Sequence, residues 1–288
     1  FTLTLGGRSI ACRESLSELT SAVAMSRCDD KALTHRLLAK ANLKMPGQVS
    51  LRSRDDVRAF LEKYGRIVIK PARGEQGQGV FVDLCSEDEA ITAFDEVRDQ
   101  VDHVIGEEFV NGRDLRIIVI GDEVAAAAVR RPPRITGDGQ HSIQELIQRL
   151  SRRRAAATGG ESRIPIDDET RRCLQAQGHG MNSILGDGVV LEVRKTANLH
   201  CGGTIHDVTD DLHPALRDAA LAARQVLGIP VVGFDFMVPR VDGPDYRIIE
   251  ANERPGLANH EPQPTAQKFV DFLFPETRHE LVKNPASG

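Results

Sequence analysis

No stretch of this 288-residue chain approaches the roughly 20 consecutive apolar residues that a bilayer-spanning helix needs. No signal-peptide pattern opens it either. Its five cysteines, at positions 12, 28, 85, 173 and 201, are odd in number, scattered and without a CxxC pair. Neither a disulfide framework nor a zinc knuckle is indicated, and a reducing cytoplasm is the expected compartment. An excess of positive charge is missing too. The net charge is -5, which argues against a broad nucleic-acid or membrane surface, so neither partner is expected. Internal repeats and low-complexity segments are absent apart from the last few residues. What is present is 40% hydrophobic residues, enough to bury a sizeable core and to build two or three subdomains. The first residue is Phe1 rather than Met, so a processed or excised piece of something longer is expected.

Periodicity gives a mixed chain. Residues 29 to 44 predict a helix, with Asp29 and Asp30 as caps, Leu33, Leu37, Leu38 and Ala41 as its stripe, and Pro46 beyond its end. Ser53 with Asp56 predicts a capping box before Val57, Phe60 and Leu61, and Ser86 with Glu89 predicts a third start. Strands are expected at 66–70, 80–82, 104–109, 115–120 and 123–129, the last two joined by Gly121-Asp122. The alternation points to an α+β architecture with antiparallel sheets. From about 143 to 188 the rhythm breaks. This stretch is rich in arginine (149, 152, 153, 154), interrupted by glycine and weakly periodic, and it reads as an insertion. A last helix is expected over 211–227, capped by Thr209 or Asp210 and ended by Gly228.

Two short strands follow, 234–238 and 246–252, with the hairpin dipeptide Asp242-Gly243 between them. A register symmetric about that dipeptide sets Asp235 opposite Glu250, with Cβ atoms roughly 5 Å apart. Glu250 and Asn252 share a strand face. Two opposed carboxylates repel, so a cation is their natural partner. An all-oxygen donor set suits Mg²⁺, with Mn²⁺ able to replace it, rather than Zn²⁺. His200, Cys201 and His206 have no fourth partner at zinc-ligand spacing.

Lys70 ends a strand, and glycines 74, 77 and 79 follow it. Such a loop lets backbone N–H groups approach phosphate oxygens while the lysine adds charge. It is not a Walker loop, since no Gly-Lys-Ser/Thr ends it, and Gly-rich turns between strands are common. The run Glu107-Glu108-Phe109-Val110, followed by Asp114, offers backbone groups for a purine along an exposed strand edge and a carboxylate for a ribose. It also fits an ordinary strand and turn.

The order of these pieces, with Lys31 after Asp30, Lys70 before the Gly-rich loop, Glu107 to Asp114, then Asp235 and Glu250-Ala251-Asn252, resembles the ATP-grasp superfamily of carboxylate-amine ligases over nearly the whole chain. Residues 20–24, Arg134-Ile135-Thr136-Gly137-Asp138-Gly139 and 196–209 resemble its cyanophycin synthetase and bifunctional glutathione synthetase branch. Residues 250–264 look most like the N-acetylglutaminylglutamine synthetases, in which an acetyltransferase domain precedes the ligase.

This resemblance implies two α+β subdomains that close on ATP between antiparallel sheets. They would comprise a lead-in over 1–28, a small lid subdomain over 29–106, a large subdomain over 107–277 carrying the insertion, and a tail over 278–288. It implies that Lys31 and Lys70 contact ATP phosphates, that the loop of Gly74, Gly77 and Gly79 closes over them, and that Glu107, Glu108, Phe109 and Val110 hold adenine. Asp114 would hold ribose, and Asp235, Glu250 and Asn252 would hold Mg²⁺. Arg194 and Asn198 would stand beside the transferring phosphate. Arg130, Arg131, Arg254 and His260 are the expected substrate contacts. The implied reaction activates an N-acetylated glutamate or glutamine as an acyl phosphate and joins it to glutamine. The alternatives are glutathione- or cyanophycin-type substrates, and a nucleotide-binding module without catalysis. Small amino acids or dipeptides are the expected partners, with an upstream acetyltransferase domain in the full-length protein.

Overall fold

The computed structural model describes residues 1–74, 79–160, 162–197, 199–258, 260 and 262–278. It opens with an antiparallel meander of β1 (Thr2–Leu5), β2 (Arg8–Arg13) and β3 (Leu16–Ser17). Helix α1 (Ala22–Asp29) follows, capped by Ser21, in the segment read as a lead-in. With Ala24 and Cys28 as its buried residues, it carries too short an apolar stripe to be seen in sequence.

The three expected helix starts form as side-chain caps. Asp30 accepts from the Leu33 N–H at the head of α2 (Lys31–Lys40). Ser53 and Asp56 make a reciprocal capping box on α3 (Arg54–Tyr64). Ser86 accepts from the Glu89 N–H on α4 (Glu87–Arg98). Each satisfies an N–H that the first helical turn leaves without a partner. Helices α3 and α4 cover an antiparallel sheet of β4 (Gln48–Leu51), β5 (Ile67–Pro71), β6 (Phe81–Leu84) and β7 (Val104–Glu108), in the order β4-β7-β5-β6. Phe60, Ile67, Ile69 and Phe94 form the core between them.

The second large sheet has the order β12-β9-β8-β13-β14. Its strands are β8 (Arg113–Ile120), β9 (Glu123–Arg131), β12 (Thr204–Asp207), β13 (Val231–Val238) and β14 (Arg247–Asn252). Helix α7 (Pro214–Leu227) lies on one face, over Leu115, Ile117, Val119, Phe234 and Phe236. Helix α8 (Thr265–Leu273) and the N-terminal meander lie on the other, over Ile118, Ile120 and Val231. Alternation along β8 therefore sends Asp114 and Arg116 to the same side as Ile118 and Ile120. That face is apolar at one end and charged at the other.

Some expectations change and others gain detail. The stretch 143–188, weakly periodic in sequence and read as an insertion, is helical in part. Between β10 (Arg134–Thr136) and β11 (Val190–Glu192) it folds as α5 (Ile143–Ala157), with a Ser142–Glu145 capping box, and α6 (Asp168–Gln175). Ile135, Ile143, Ile147, Ile164, Leu174 and Leu185 give it its own core. The cap of α7 is His213, whose Nδ1 accepts from Ala215, because Pro214 takes the first helical position and displaces the expected start. Leu38 of α2 packs in the α7 core rather than in that of the four-stranded sheet. The cores thus do not divide at the boundary expected between 29–106 and 107–277. Finally, β13 and β14 are joined by a loop over 239–246 that contains Asp242-Gly243, and Asp235 pairs with Glu250 as expected, with a bulge just after Asp235.

Candidate active site

A cavity of about 1260 Å³ opens between the two large sheets, with residues of both lining it. Its floor is the charged end of the five-stranded sheet. Arg116 of β8 lies opposite Asp235 of β13, Asp235 opposite Glu250 of β14, and Gly233 opposite Asn252. Asp235, Glu250 and Asn252 all line the cavity, as do Lys31, Asp114, Arg130 and Arg131.

The opposed carboxylates do not stand bare. Arg116 grips Asp235 with Nε and Nη2, and Arg130 Nη2 reaches the same carboxylate at 2.8 Å while also binding Asp114 at 2.7 Å. Glu250 is met by Lys31 Nζ at 3.2 Å, and that amine also donates to the Gly74 carbonyl at 2.7 Å. The expected repulsion is thus already answered by the chain's own cations. Burial alone would push the Asp235 carboxyl up, but Arg116 and Arg130 outweigh it and hold it below the usual carboxylate range. Asp114 shares one of those arginines, so burial wins there and raises it. Although burial works against the Arg130 charge, Asp235 and Asp114 raise its pKa.

Among the described residues no group of three or more His, Cys, Asp and Glu side chains forms a metal site. The expected trio contains two carboxylates and one amide, and the amide oxygen of Asn252 accepts from the Arg254 N–H at 2.9 Å. All three are hard oxygen donors on adjacent strands facing open space, so they fit Mg²⁺ once Asp235 and Glu250 exchange an arginine or lysine contact for the ion.

The opposite wall belongs to the four-stranded sheet. Lys70 and Glu107 form an ion pair of 2.9 Å with side chains 5% and 3% exposed, and Gln48 Nε2 adds a 3.2 Å hydrogen bond to the same glutamate. Glu108 accepts from the Gly47 N–H at 2.9 Å, and the Arg66 guanidinium stacks 4.2 Å from the Phe109 ring centroid. The expectation of an exposed strand edge over 107–110 is corrected. Strand β7 is interior, flanked by β4 and β5, and the Glu108 and Phe109 N–H groups are used by Gly47 and Arg66. Only past the strand, toward Val110 and Asn111, does backbone face the cavity without a sheet neighbour on both sides. Gly74 and Gly79 have φ of 150° and 66°, conformations that favour glycine. Gly77 lies outside the described residues.

Arg254 and His260 also line the cavity. His260 is 5% exposed and its Nδ1 has no hydrogen-bond partner among the described residues. Burial first, and then Arg116, bring its pKa down to about 4. Arg194, expected beside the phosphate, is not there. Its guanidinium is turned into the insertion, bound to Asp167, Glu169 and Thr170, and ties α6 to the segment after β11. The next residue, Lys195, lines the cavity instead. Asn198 lies outside the described residues. Sequence reading also missed Arg116, although its place two residues past Asp114 on a strand signals a shared face. Gly233 was missed as well. A Cβ there would come within 2.9 Å of Pro255 Cβ and 3.0 Å of Arg116 Nη1, so glycine lets the floor arginine lie flat.

Comparison with known proteins agrees with this geometry. Residues 28–139 match the model of the RimK-like ATP-grasp domain. A cyanophycin synthetase of Trichormus variabilis is 30% identical over 91% of this chain and 31% of its own length. A bifunctional glutathione biosynthesis protein of Pasteurella multocida is 25% identical over 86% of the chain and 35% of its own. The crystal structure of a bifunctional glutathione synthetase from Pasteurella multocida superposes with a TM-score of 0.65 at 23% identity, covering 96% of this chain and 40% of that one. The chain spans about a third of the length of the curated relatives it matches. Its fold is the ATP-grasp fold, mixed α+β with antiparallel sheets. Among the described residues no helix is long and apolar enough to cross a membrane.

Proposed function

We propose that this chain catalyses ATP-dependent ligation of a carboxylate to an amine through an acyl phosphate. The observation that carries the reading is the meeting of Lys31, Lys70, the Asp235–Glu250–Asn252 strand pair and the floor arginines on one cavity between two antiparallel sheets. A phosphoryl group passing between two anions needs cations on several sides. Here Lys70 stands on one wall, Lys31 bridges the start of the Gly-rich loop to Glu250, and Arg116 and Arg130 hold the floor. Mg²⁺, held by Asp235, Glu250 and Asn252, would neutralise charge on the phosphates.

In the first step a substrate carboxylate oxygen attacks the γ-phosphorus and ADP leaves. In the second the amine nitrogen attacks the acyl carbon, phosphate leaves, and the amine gives up a proton. The chain's part is to place the reactants and keep water from the acyl phosphate. Arg130, Arg131 and Arg254 are suited to the remaining carboxylates, because a planar guanidinium binds them bidentately.

The finer reading names the substrates. The likeness of 250–264 to the N-acetylglutaminylglutamine synthetases favours N-acetylglutamine or N-acetylglutamate as the activated acid and glutamine as the amine. Acetylation would stop the acid from condensing with itself. A phosphate-release screen with ATP and Mg²⁺ tests this. Release is expected with N-acetylglutamine or N-acetylglutamate plus glutamine, and much less with glutamate plus cysteine. Preference for γ-glutamylcysteine plus glycine, or for an aspartate polymer, would move the substrates to the glutathione or cyanophycin type. Phosphate release indifferent to every amine would end the ligase reading.

A further inference from the structure

The N-terminal meander, with no part in the phosphate chemistry, delivers a carboxylate to the cavity. Strands β2 and β3 pair Cys12 with Ser17 and Arg13 with Leu16, which leaves Glu14 and Ser15 as the turn. Glu14 lines the cavity. Its φ is 56°, the left-handed region that such turns usually give to glycine, so a side chain is kept here against the backbone's preference.

The turn is also pinned. Ser15 is 3% exposed, and its hydroxyl donates to the Pro255 carbonyl at 2.7 Å. Pro255 in turn packs on Gly233 beside Arg116. The turn that carries Glu14 is therefore held on the Arg116–Asp235 side of the cavity. Glu107, Asp114, Asp235 and Glu250 each have a lysine or arginine of the chain. Glu14 forms no ion pair with a described residue.

We propose that Glu14 is the recognition group for the ammonium of the amine substrate. Among the described residues Glu108, which also lines the cavity, has no cation either, but its carboxylate accepts from the Gly47 N–H; the Glu14 carboxylate, with neither, is open to a positive charge. The floor arginines select the opposite charge, so the two kinds of group sort the reactants. An N-acetylated acid has no ammonium for Glu14 and is directed to the arginines, while a free amino acid is drawn to the turn. This rests on the carboxylate-amine ligase reading and adds to it which substrate goes where.

The test uses the full chain with ADP and Mg²⁺ present. Calorimetric binding of glutamine, glutamate, aspartate and arginine is compared with that of their N-acetylated forms, in wild type, Glu14→Gln and Glu14→Gly. At least one free amino acid should bind the wild type and weaken about tenfold or more in both variants, a loss of about 1.4 kcal/mol. N-acetylated forms should change less than about twofold. Glu14→Gly should melt no lower than wild type, since glycine takes a φ of 56° without strain, which separates lost recognition from lost folding. Equal loss of free and acetylated ligands, unchanged amino-acid affinity in the variants, or a wild type that binds no free amino acid would each overturn the assignment. Phosphate release is scored separately. Binding through Glu14 without amine-dependent phosphate release would remove the ligase reading and keep the site. Ligation by Glu14→Gln at the wild-type amine KM would keep the reading and remove the site.

Discussion

The two sides of the cavity hold charge in different ways. On the four-stranded-sheet side, Lys70 and Glu107 form a single ion pair with both side chains almost fully buried. On the five-stranded-sheet side, Arg116, Arg130, Asp114 and Asp235 share contacts, and their side chains are 15% to 26% exposed. A dry pair is indivisible: removing one member strands the other in a low dielectric, where an unpaired charge is costly. A shared lattice can redistribute. Arg130 keeps Asp114 if Asp235 is lost, and water reaches part of what remains. The wall is thus a fixed fixture, and the floor is an adjustable one that can exchange its own cations for an incoming ion or substrate.

The largest expected effect breaks the wall. Lys70→Met leaves Glu107 buried with one neutral partner, Gln48, and should lose about 3–5 kcal/mol of unfolding free energy in urea. The double variant Lys70→Met/Glu107→Leu should recover most of that stability, because an apolar pair of similar volume often replaces a buried ion pair at little cost. Nucleotide affinity should stay low in both, which separates the stability role of the pair from its role toward phosphate. A single variant within about 1 kcal/mol of wild type would mean that water reaches the wall and that the contrast with the floor is false.

A smaller effect follows from the reach of the floor arginines. His260 is buried beside Arg116 and Arg130, and its pKa is lowered from 6.5 to about 4, burial being the main cause. Asp207, which works the other way, is the acidic group facing it. Between those two pH values the folded chain binds fewer protons at this site than the unfolded chain does, so acid favours unfolding. The contribution is whole above about pH 6.5 and is lost as the pH falls toward 4. By pH 5 about 2 kcal/mol of it is lost. Urea denaturation of wild type and His260→Leu at pH 7.5 and pH 5 checks it: the variant should lose less stability on acidification. Parallel losses in the two chains would show that His260 titrates normally.

Much of this contrast was legible in the sequence. Caps at Asp30, Ser53 and Ser86 announce themselves, because a small polar side chain at a fixed distance from an apolar stripe has one local use. Opposition of Asp235 and Glu250 was legible because strand alternation limits the choices. Partners brought in from other strands were not. Arg116 is 119 residues from Asp235 in sequence, and nothing local says that it will grip that carboxylate. Arg194 illustrates the converse. The resemblance implied a place beside the phosphate, but Asp167 and Glu169 at the head of α6 claim it, and α6 lies in the segment where a weak hydrophobic rhythm concealed a second small core. Glu14 was hidden because a two-residue turn in a short meander has no sequence signal for facing a distant cavity.

The smallest expected effects on stability sharpen the floor's side of the comparison. Two opposed carboxylates, taken alone, suggest that neutralising either would leave the fold untouched, and the structure predicts an asymmetry instead. Asp235→Asn leaves Arg116 without its carboxylate and Arg130 with one of two, so it should cost about 1–3 kcal/mol. Glu250 is 34% exposed, and its partner Lys31 keeps the Gly74 carbonyl, so Glu250→Gln should cost less than about 1 kcal/mol. Ligation should nevertheless fall about 100-fold or more in both, since each removes an anionic oxygen expected to hold charge at the phosphates. Urea melts and phosphate-release rates on the same preparations give the two readouts. Equal stability losses would mean that Lys31 has no second partner in solution. Near-wild-type turnover in either variant at moderate Mg²⁺ would show that the strand pair does not hold the ion, and the floor's exchangeable contacts would then be structural alone.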